Sequence, residues 1–192
     1  MSKYNLKTKS LLFAVIIFFN TVFLHDIHAV ATNAPSLGLN CSTAVLIEEE
    51  TGKILYEKQK DVPVYPASTT KIMTALLTLE HLDLNQKITV PEDMGPADGS
   101  AMYLLPGETF TVEELLQGLL VKSANDAAIL LAKNISGSVE EFSNLMNQRA
   151  QEIGCQNTHF VNPNGLHDPN HTTSAYDLAL IAREAMKNPK FR

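Results

Sequence analysis

The stretch Pro66-Ala67-Ser68-Thr69-Thr70-Lys71-Ile72-Met73-Thr74-Ala75-Leu76-Leu77-Thr78-Leu79 decides how the rest of the chain is read. Pro66 ends an extended entry, since the residue before a proline is pushed out of the helical region. From Ser68 onward, Ile72, Ala75, Leu76 and Leu79 recur at three- and four-residue spacing, the period of a helix with one apolar face. Ser68 and Lys71 stand three apart at the start of that helix and share a face, with Cβ atoms about 5–6 Å apart. A serine hydroxyl is a poor nucleophile at neutral pH and needs a base within hydrogen-bond reach. The lysine arm can bring its amine there, provided burial or a neighbouring positive charge keeps the amine neutral. Backbone N–H groups at the helix start favour a developing oxyanion. Taken alone the pair is a weak signal, because Ser-x-x-Lys also arises as a helix cap followed by a surface lysine.

Upstream, Ala44-Val45-Leu46-Ile47 reads as a strand, Glu50-Thr51-Gly52-Lys53 as a turn with Gly52 at positive φ, and Ile54-Leu55-Tyr56 as the return strand. Downstream, residues 83–111 read as irregular, broken by Pro91, Pro96, Gly99, Pro106 and Gly107. Thr111 with Glu114 forms a capping box before Leu115, Leu116, Leu119 and Leu120. A break at Lys122-Ser123-Ala124-Asn125 precedes a helix from Asp126 to about Lys133. Ser138 with Glu141 opens a helix that ends at Gly154, residues 162–170 are rich in turn formers, and Ser174 with Asp177 caps a last helix closed by Pro189. The pattern is one hairpin followed almost entirely by helices. A hairpin alone in water is marginal and needs more strands or a helix on its face.

The 192 residues suffice for one domain. With 45% apolar and 19% charged residues the chain is of ordinary globular composition. A formal net charge of -6 with no block of Lys and Arg excludes an electrostatic footprint for nucleic acid. Lys3, Lys7 and Lys9 precede an apolar run over residues 11–24, interrupted only by Asn20 and Thr21, and Ala29-Val30-Ala31 supplies the small-x-small pattern of a cleavage site. Residues 1–31 are therefore expected to be a secretory signal peptide and 32–40 a polar linker. Export would permit a disulfide, but Cys41 and Cys155 make no framework and read as two ordinary thiols.

Ser123-Ala124-Asn125 is the second candidate constellation, at a break between two apolar helices. A buried loop there brings one hydroxyl and one amide to a cleft. Beside Ser68 and Lys71 it supplies what acyl transfer still needs: Ser123 to relay a proton and Asn125 to hydrogen-bond a substrate amide. At this point the sequence resembles the penicillin-binding proteins, whose motifs are S-x-x-K, S-x-N and K-T-G. The Ser-Ala-Asn form is closer to the low-molecular-mass serine-type D-alanyl-D-alanine carboxypeptidases than to class A β-lactamases. The likeness covers residues 41–192 and is carried also by Glu50-Thr51-Gly52-Lys53-Ile54-Leu55-Tyr56, by Lys122-Ser123-Ala124-Asn125-Asp126-Ala127, and by Asn157-Thr158-His159-Phe160-Val161-Asn162-Pro163-Asn164-Gly165-Leu166-His167-Asp168.

The resemblance implies the α/β (α+β) penicillin-binding, serine β-lactamase-like transpeptidase fold. It assigns Ser68 as acylated nucleophile, Lys71 as proton acceptor, Ser123 as relay and Asn125 as substrate contact. It implies a peptidoglycan stem peptide ending in D-Ala-D-Ala as substrate, β-lactams as inhibitors, no cofactor and no metal. An exported protein of the cell envelope is expected, peripherally membrane-associated only if a C-terminal anchor follows. Fast deacylation would make the chain a β-lactamase instead, but no glutamate motif for that base is recognisable. The third motif, Lys-Thr-Gly or Lys-Ser-Gly, occurs nowhere in the sequence. In the family it lies on a later strand that lines the cleft, and the N-terminal hairpin pairs with C-terminal strands. The chain is therefore expected to be the N-terminal part of such an enzyme, with an incomplete fold that lacks the C-terminal strands and does not turn over D-Ala-D-Ala peptides. His159, His167, His171 and Asp168 form a histidine-rich cluster, but Pro169 keeps His167 and His171 off a common helix face, and a metal site or a Ser-His-Asp triad is not the expectation. Met102 and Tyr103 read as core or loop packing.

Overall fold

The computed structural model describes residues 37–95 and 97–192. The expected signal peptide and the first part of the linker lie outside the described residues. Strands β1 (Ala44–Ile47) and β2 (Ile54–Lys58) form the antiparallel hairpin read from the sequence, with Leu46 opposite Tyr56 and Ile47 opposite Ile54. Gly52 sits at φ +74 in its turn, and a Cβ there would come within 3.2 Å of the Arg183 guanidinium. That guanidinium donates to the carbonyls of Glu49 and Glu50 at 2.6 and 2.7 Å, which fixes the hairpin tip to the last helix. Leu46 and Leu55 remain about half exposed.

A 3₁₀ turn, Ala67–Thr70, leads into α1 (Lys71–His81). Every residue of α1 from Met73 to Thr78 is buried, the mark of a helix enclosed on all sides. Ala75 faces one apolar cluster with Ile88, Val112, Leu115, Leu119, Leu130 and Leu131, while Met73, Leu76 and Leu77 face another with Phe142, Met146, Phe160 and Ile181. Each of the larger side chains among them contributes roughly 1.5–3 kcal/mol by leaving water. Helix α1 is thus held between the two clusters just after its start.

Residues 83–111, expected to be irregular, instead contain a second antiparallel pair, β3 (Lys87–Thr89) and β4 (Thr109–Thr111). Three-residue strands offer too few positions for alternation to show, and only Ile88 of β3 is buried. Helices α2 (Val112–Val121), α3 (Asn125–Ser136), α4 (Val139–Ile153) and α5 (Ala175–Met186) follow in the expected order. Thr111 and Glu114 make the full capping box, and Ser138 and Ser174 accept from the N–H groups of Glu141 and Asp177. Helix α3 begins at Asn125, one residue before its expected start, and closes on Gly137 in the left-handed conformation. Buried Asp177 also accepts from Gln156 N, Asn157 N and the Thr158 hydroxyl, tying the segment after α4 to α5. Cys41 and Cys155 are both free. Burial pushes the Cys155 thiol up to about 12, so it remains protonated and inert.

Candidate active site

Ser68 lies in the 3₁₀ turn, directly after Ala67 at φ +49. A non-glycine residue there is strained, and such strain persists only where neighbours over-determine it. Lys71 opens α1 and is 2% exposed. Its Nζ donates to Ser68 Oγ at 3.2 Å and to the Asn164 carbonyl at 2.7 Å. Neither partner is a carboxylate, so burial acts on the ammonium without compensation and pushes it down to about 8. An amine so placed is within reach of the neutral form a general base requires.

The Asn164 carbonyl is positioned by a network. Asn162 Oδ1 accepts from Gly165 N at 2.7 Å, Asn164 Oδ1 accepts from Leu166 N at 3.1 Å, and the Thr74 hydroxyl on α1 donates to the Pro163 carbonyl at 2.6 Å. Gly165, at φ +83, touches the turn that carries Ser68, and a Cβ there would fall 1.8 Å from the Ala67 carbonyl oxygen. Only glycine allows this loop so close to the turn carrying Ser68.

Ser123 and Asn125 lie at the junction of α2 and α3. Ser123 is half-buried and at φ +56, a second strained non-glycine residue, and no described hydrogen bond joins it to Ser68 or Lys71. Asn125 is buried; its N–H donates to the Ser100 carbonyl at 2.8 Å and its Nδ2 to the Asp98 carbonyl at 2.6 Å. Its Oδ1 is buried with no partner. The next residue, Asp126, accepts from the N–H groups of Met102 and Leu104 at 3.0 and 3.1 Å, bracketing Tyr103. Tyr103 sits at φ +62 and is 81% exposed. Met102, Tyr103, Phe110, Gly118 and Val121 line a cavity of about 740 Å³ beside Lys122. Met102 packs against the core as expected, whereas Tyr103 is displayed to solvent, because the Asp126 clamp turns the backbone outward at that residue.

Residues 28–191 match the family model described as D-alanyl-D-alanine carboxypeptidase, peptidase S11. This chain belongs to that family. It is 46% identical over 156 residues to the D-alanyl-D-alanine carboxypeptidase DacF of Bacillus subtilis, covering 79% of this chain and 40% of the relative. DacC of Escherichia coli, named for the same activity, is 37% identical over 150 residues, which are 72% of this chain and 38% of the relative. The crystal structure of the carboxypeptidase DacD from Francisella tularensis superposes with a TM-score of 0.74 at 40% identity, over 78% of this chain and 38% of that one. Penicillin-binding protein 5 of Haemophilus influenzae gives 0.71 at 36% identity, over 76% and 45%. The fold is thus that of the penicillin-binding proteins and carboxypeptidases, and the chain spans about 40% of the length of DacF.

Of the residues singled out in sequence, Ser68 and Lys71 are brought into contact, while Ser123 and Asn125 sit together on the α2–α3 junction. Sequence reasoning passed over Asn164, Gly165 and Asp126. The Asn-Pro-Asn-Gly run at 162–165 signalled a turn, but nothing in it announced that a carbonyl there would hold the lysine. Among the described residues no group of three or more His, Cys, Asp or Glu is placed to hold a metal ion. The histidines have other partners: His167 packs edge-on to Tyr65, His159 Nδ1 meets the Asn170 carbonyl, and His171 contacts Thr70.

Proposed function

We propose that this chain carries the acylation machinery of a serine-type D-Ala-D-Ala carboxypeptidase acting on peptidoglycan stem peptides, in cell-wall synthesis and remodelling. The observation that carries the reading is the buried Lys71 amine, without a carboxylate partner, at 3.2 Å from Ser68 Oγ. Ser68 Oγ attacks the carbonyl carbon of the penultimate D-Ala, and its proton passes to Lys71 Nζ. The tetrahedral intermediate collapses with cleavage of the C–N bond. The leaving D-Ala amine takes its proton through Ser123, and water then releases the acyl group from Ser68. Asn125 is the substrate contact; its Oδ1 is enclosed and without a partner here, so it accepts from a substrate N–H only once the side chain is uncovered. β-Lactams acylate the same serine. Residues 1–31 act as the export signal, 32–40 as a linker, and 41–192 as part of the catalytic domain in the cell envelope. No described helix is long and apolar enough to cross a membrane.

Fluorescent penicillin tests this reading. We expect a covalent adduct that maps to Ser68, persists through a chase with unlabelled drug, and is absent in Ser68→Ala. Rapid release of the label would make the chain a β-lactamase, and no label on a folded protein would overturn the acyl-enzyme reading. Release of D-Ala from an acyl-D-Ala-D-Ala peptide measures turnover separately.

A further inference from the structure

His171 is 2% exposed and takes no part in the chemistry described above. Both its ring nitrogens are used. Val161 N–H donates to Nδ1 at 3.1 Å, and Nε2 lies 2.8 Å from the Thr70 hydroxyl. A backbone N–H can only donate, so Nδ1 carries no proton; a neutral imidazole then has its proton on Nε2 and donates it to Thr70 Oγ1. The ring is held edge-on against Phe160, with centroids 5.5 Å apart. Its backbone continues into Thr172 and Thr173, which bridge to His159 and to Val64.

The two ends of this imidazole reach the two segments that make the lysine's site. Thr70 is the residue before Lys71, and Val161 lies three residues before Asn164, whose carbonyl accepts from Lys71 Nζ. The ring therefore spans the gap between the turn that carries the base and the loop that holds it. We propose that His171 is a positioning residue: a neutral strut with its proton fixed on Nε2, which sets the spacing between the Ser68–Lys71 turn and the Asn164 carbonyl and so keeps the lysine amine desolvated. A protonated ring would turn an Nδ1–H against the Val161 N–H, donor facing donor. Burial agrees with this exclusion and pushes the imidazole down to about 4, opposed by Asp168 and reinforced by His159, the two titratable groups that act on it.

The proposal rests on the catalytic reading of Lys71, but its test does not need turnover. The Lys71 side chain is titrated by NMR through its Cε resonance in the wild-type chain, in His171→Ala, in His171→Gln and in Thr70→Val. Ring ¹⁵N shifts of wild-type His171 report which nitrogen holds the proton. Wild-type Lys71 is expected to titrate near 8. Without the strut, in His171→Ala and Thr70→Val, water reaches the amine and the midpoint moves up toward the ordinary lysine range. The glutamine variant presents an N–H donor and a C=O acceptor and is expected to restore the wild-type midpoint. If Ser68 is acylated by penicillin, His171→Ala should also slow acylation tenfold to a hundredfold, the scale of a displaced reacting group, with its acid limb moved to higher pH. A proton on Nδ1, or the same Lys71 midpoint in all four proteins, would overturn the proposal. Should His171→Ala not fold, Thr70→Val and His171→Gln decide it alone. Failure of Ser68 to take up penicillin, with the midpoints moving as expected, would count against the catalytic reading and leave the strut standing.

Discussion

The two flanks of the candidate site are built on different terms. On the lysine side, the Ser68–Lys71 turn and the loop over residues 161–171 are cross-bonded at close range: Lys71 to Asn164, Thr74 to Pro163, Thr70 to His171, and Gly165 against Ala67. On the other side, Asn125 and Asp126 hold the backbone of residues 98–104, yet Asn125 Oδ1 has no partner and Tyr103 stands in solvent. One flank has its polar groups satisfied by the protein, whereas the other encloses an unpartnered acceptor and displays an aromatic ring to solvent. Placement of the Lys71 amine is thus a property of the packed flank alone, and what remains unsatisfied is on the flank proposed to meet substrate and leaving group.

If that division holds, substitutions on the packed flank should strike base placement and stability, and those on the open flank should spare Lys71. The largest effect is expected for Lys71→Ala, which removes the proposed base and should lower the rate of Ser68 acylation by about 10²–10⁴-fold with the fold retained, as followed by stopped-flow labelling and circular dichroism. Gly165→Ala should come next. Its methyl group would collide with the Ala67 carbonyl at a left-handed position, costing about 3 kcal/mol in urea unfolding and weakening the label at Ser68.

Asp126→Ala leaves the N–H groups of Met102 and Leu104 without an acceptor and should cost about 1–3 kcal/mol. Hydrogen exchange should then rise over residues 98–104 while the Lys71 titration stays where it was; a shift of Lys71 would show the flanks to be coupled. The smallest effect is expected at Ser123. Its hydroxyl makes no described hydrogen bond and its φ is +56, so Ser123→Gly should raise stability by about 1 kcal/mol in urea unfolding and leave the Lys71 titration where it was.

The two flanks also differ in how far their sequence announced them. The hairpin and the caps at Thr111, Ser138 and Ser174 are local patterns in which one residue type at one spacing fixes one geometry, whereas the helix expected from Ser68 opens at Lys71 after a 3₁₀ turn. Strands β3 and β4 were missed because a three-residue strand has no period to read and its partner lies about twenty residues away. Ser68, Lys71, Ser123 and Asn125 were legible as side chains. The anchor of Lys71 was not, because it is a backbone carbonyl 93 residues further along, and no side-chain pattern encodes a carbonyl. The role of Gly165 became visible only with Ala67 against it, and that of His171 only with Thr70 and Val161 at its two nitrogens.

Burial of Lys71 also fixes the sign of a pH effect. Its folded value of about 8 lies below the unfolded value, so between the two the unfolded chain binds more protons. The lysine therefore opposes folding below pH 8, and that penalty is relieved as pH rises from about 8 toward about 10.4. On the proposed mechanism the same deprotonation makes Lys71 competent as the base. The pH dependence of Ser68 acylation by a β-lactam, read as adduct on the Ser68 peptide by mass spectrometry, therefore tests the central claim most directly. The account predicts a rate that rises with pH and is half-maximal near 8. A rate independent of pH between 6 and about 10, or an adduct on another residue, would contradict it.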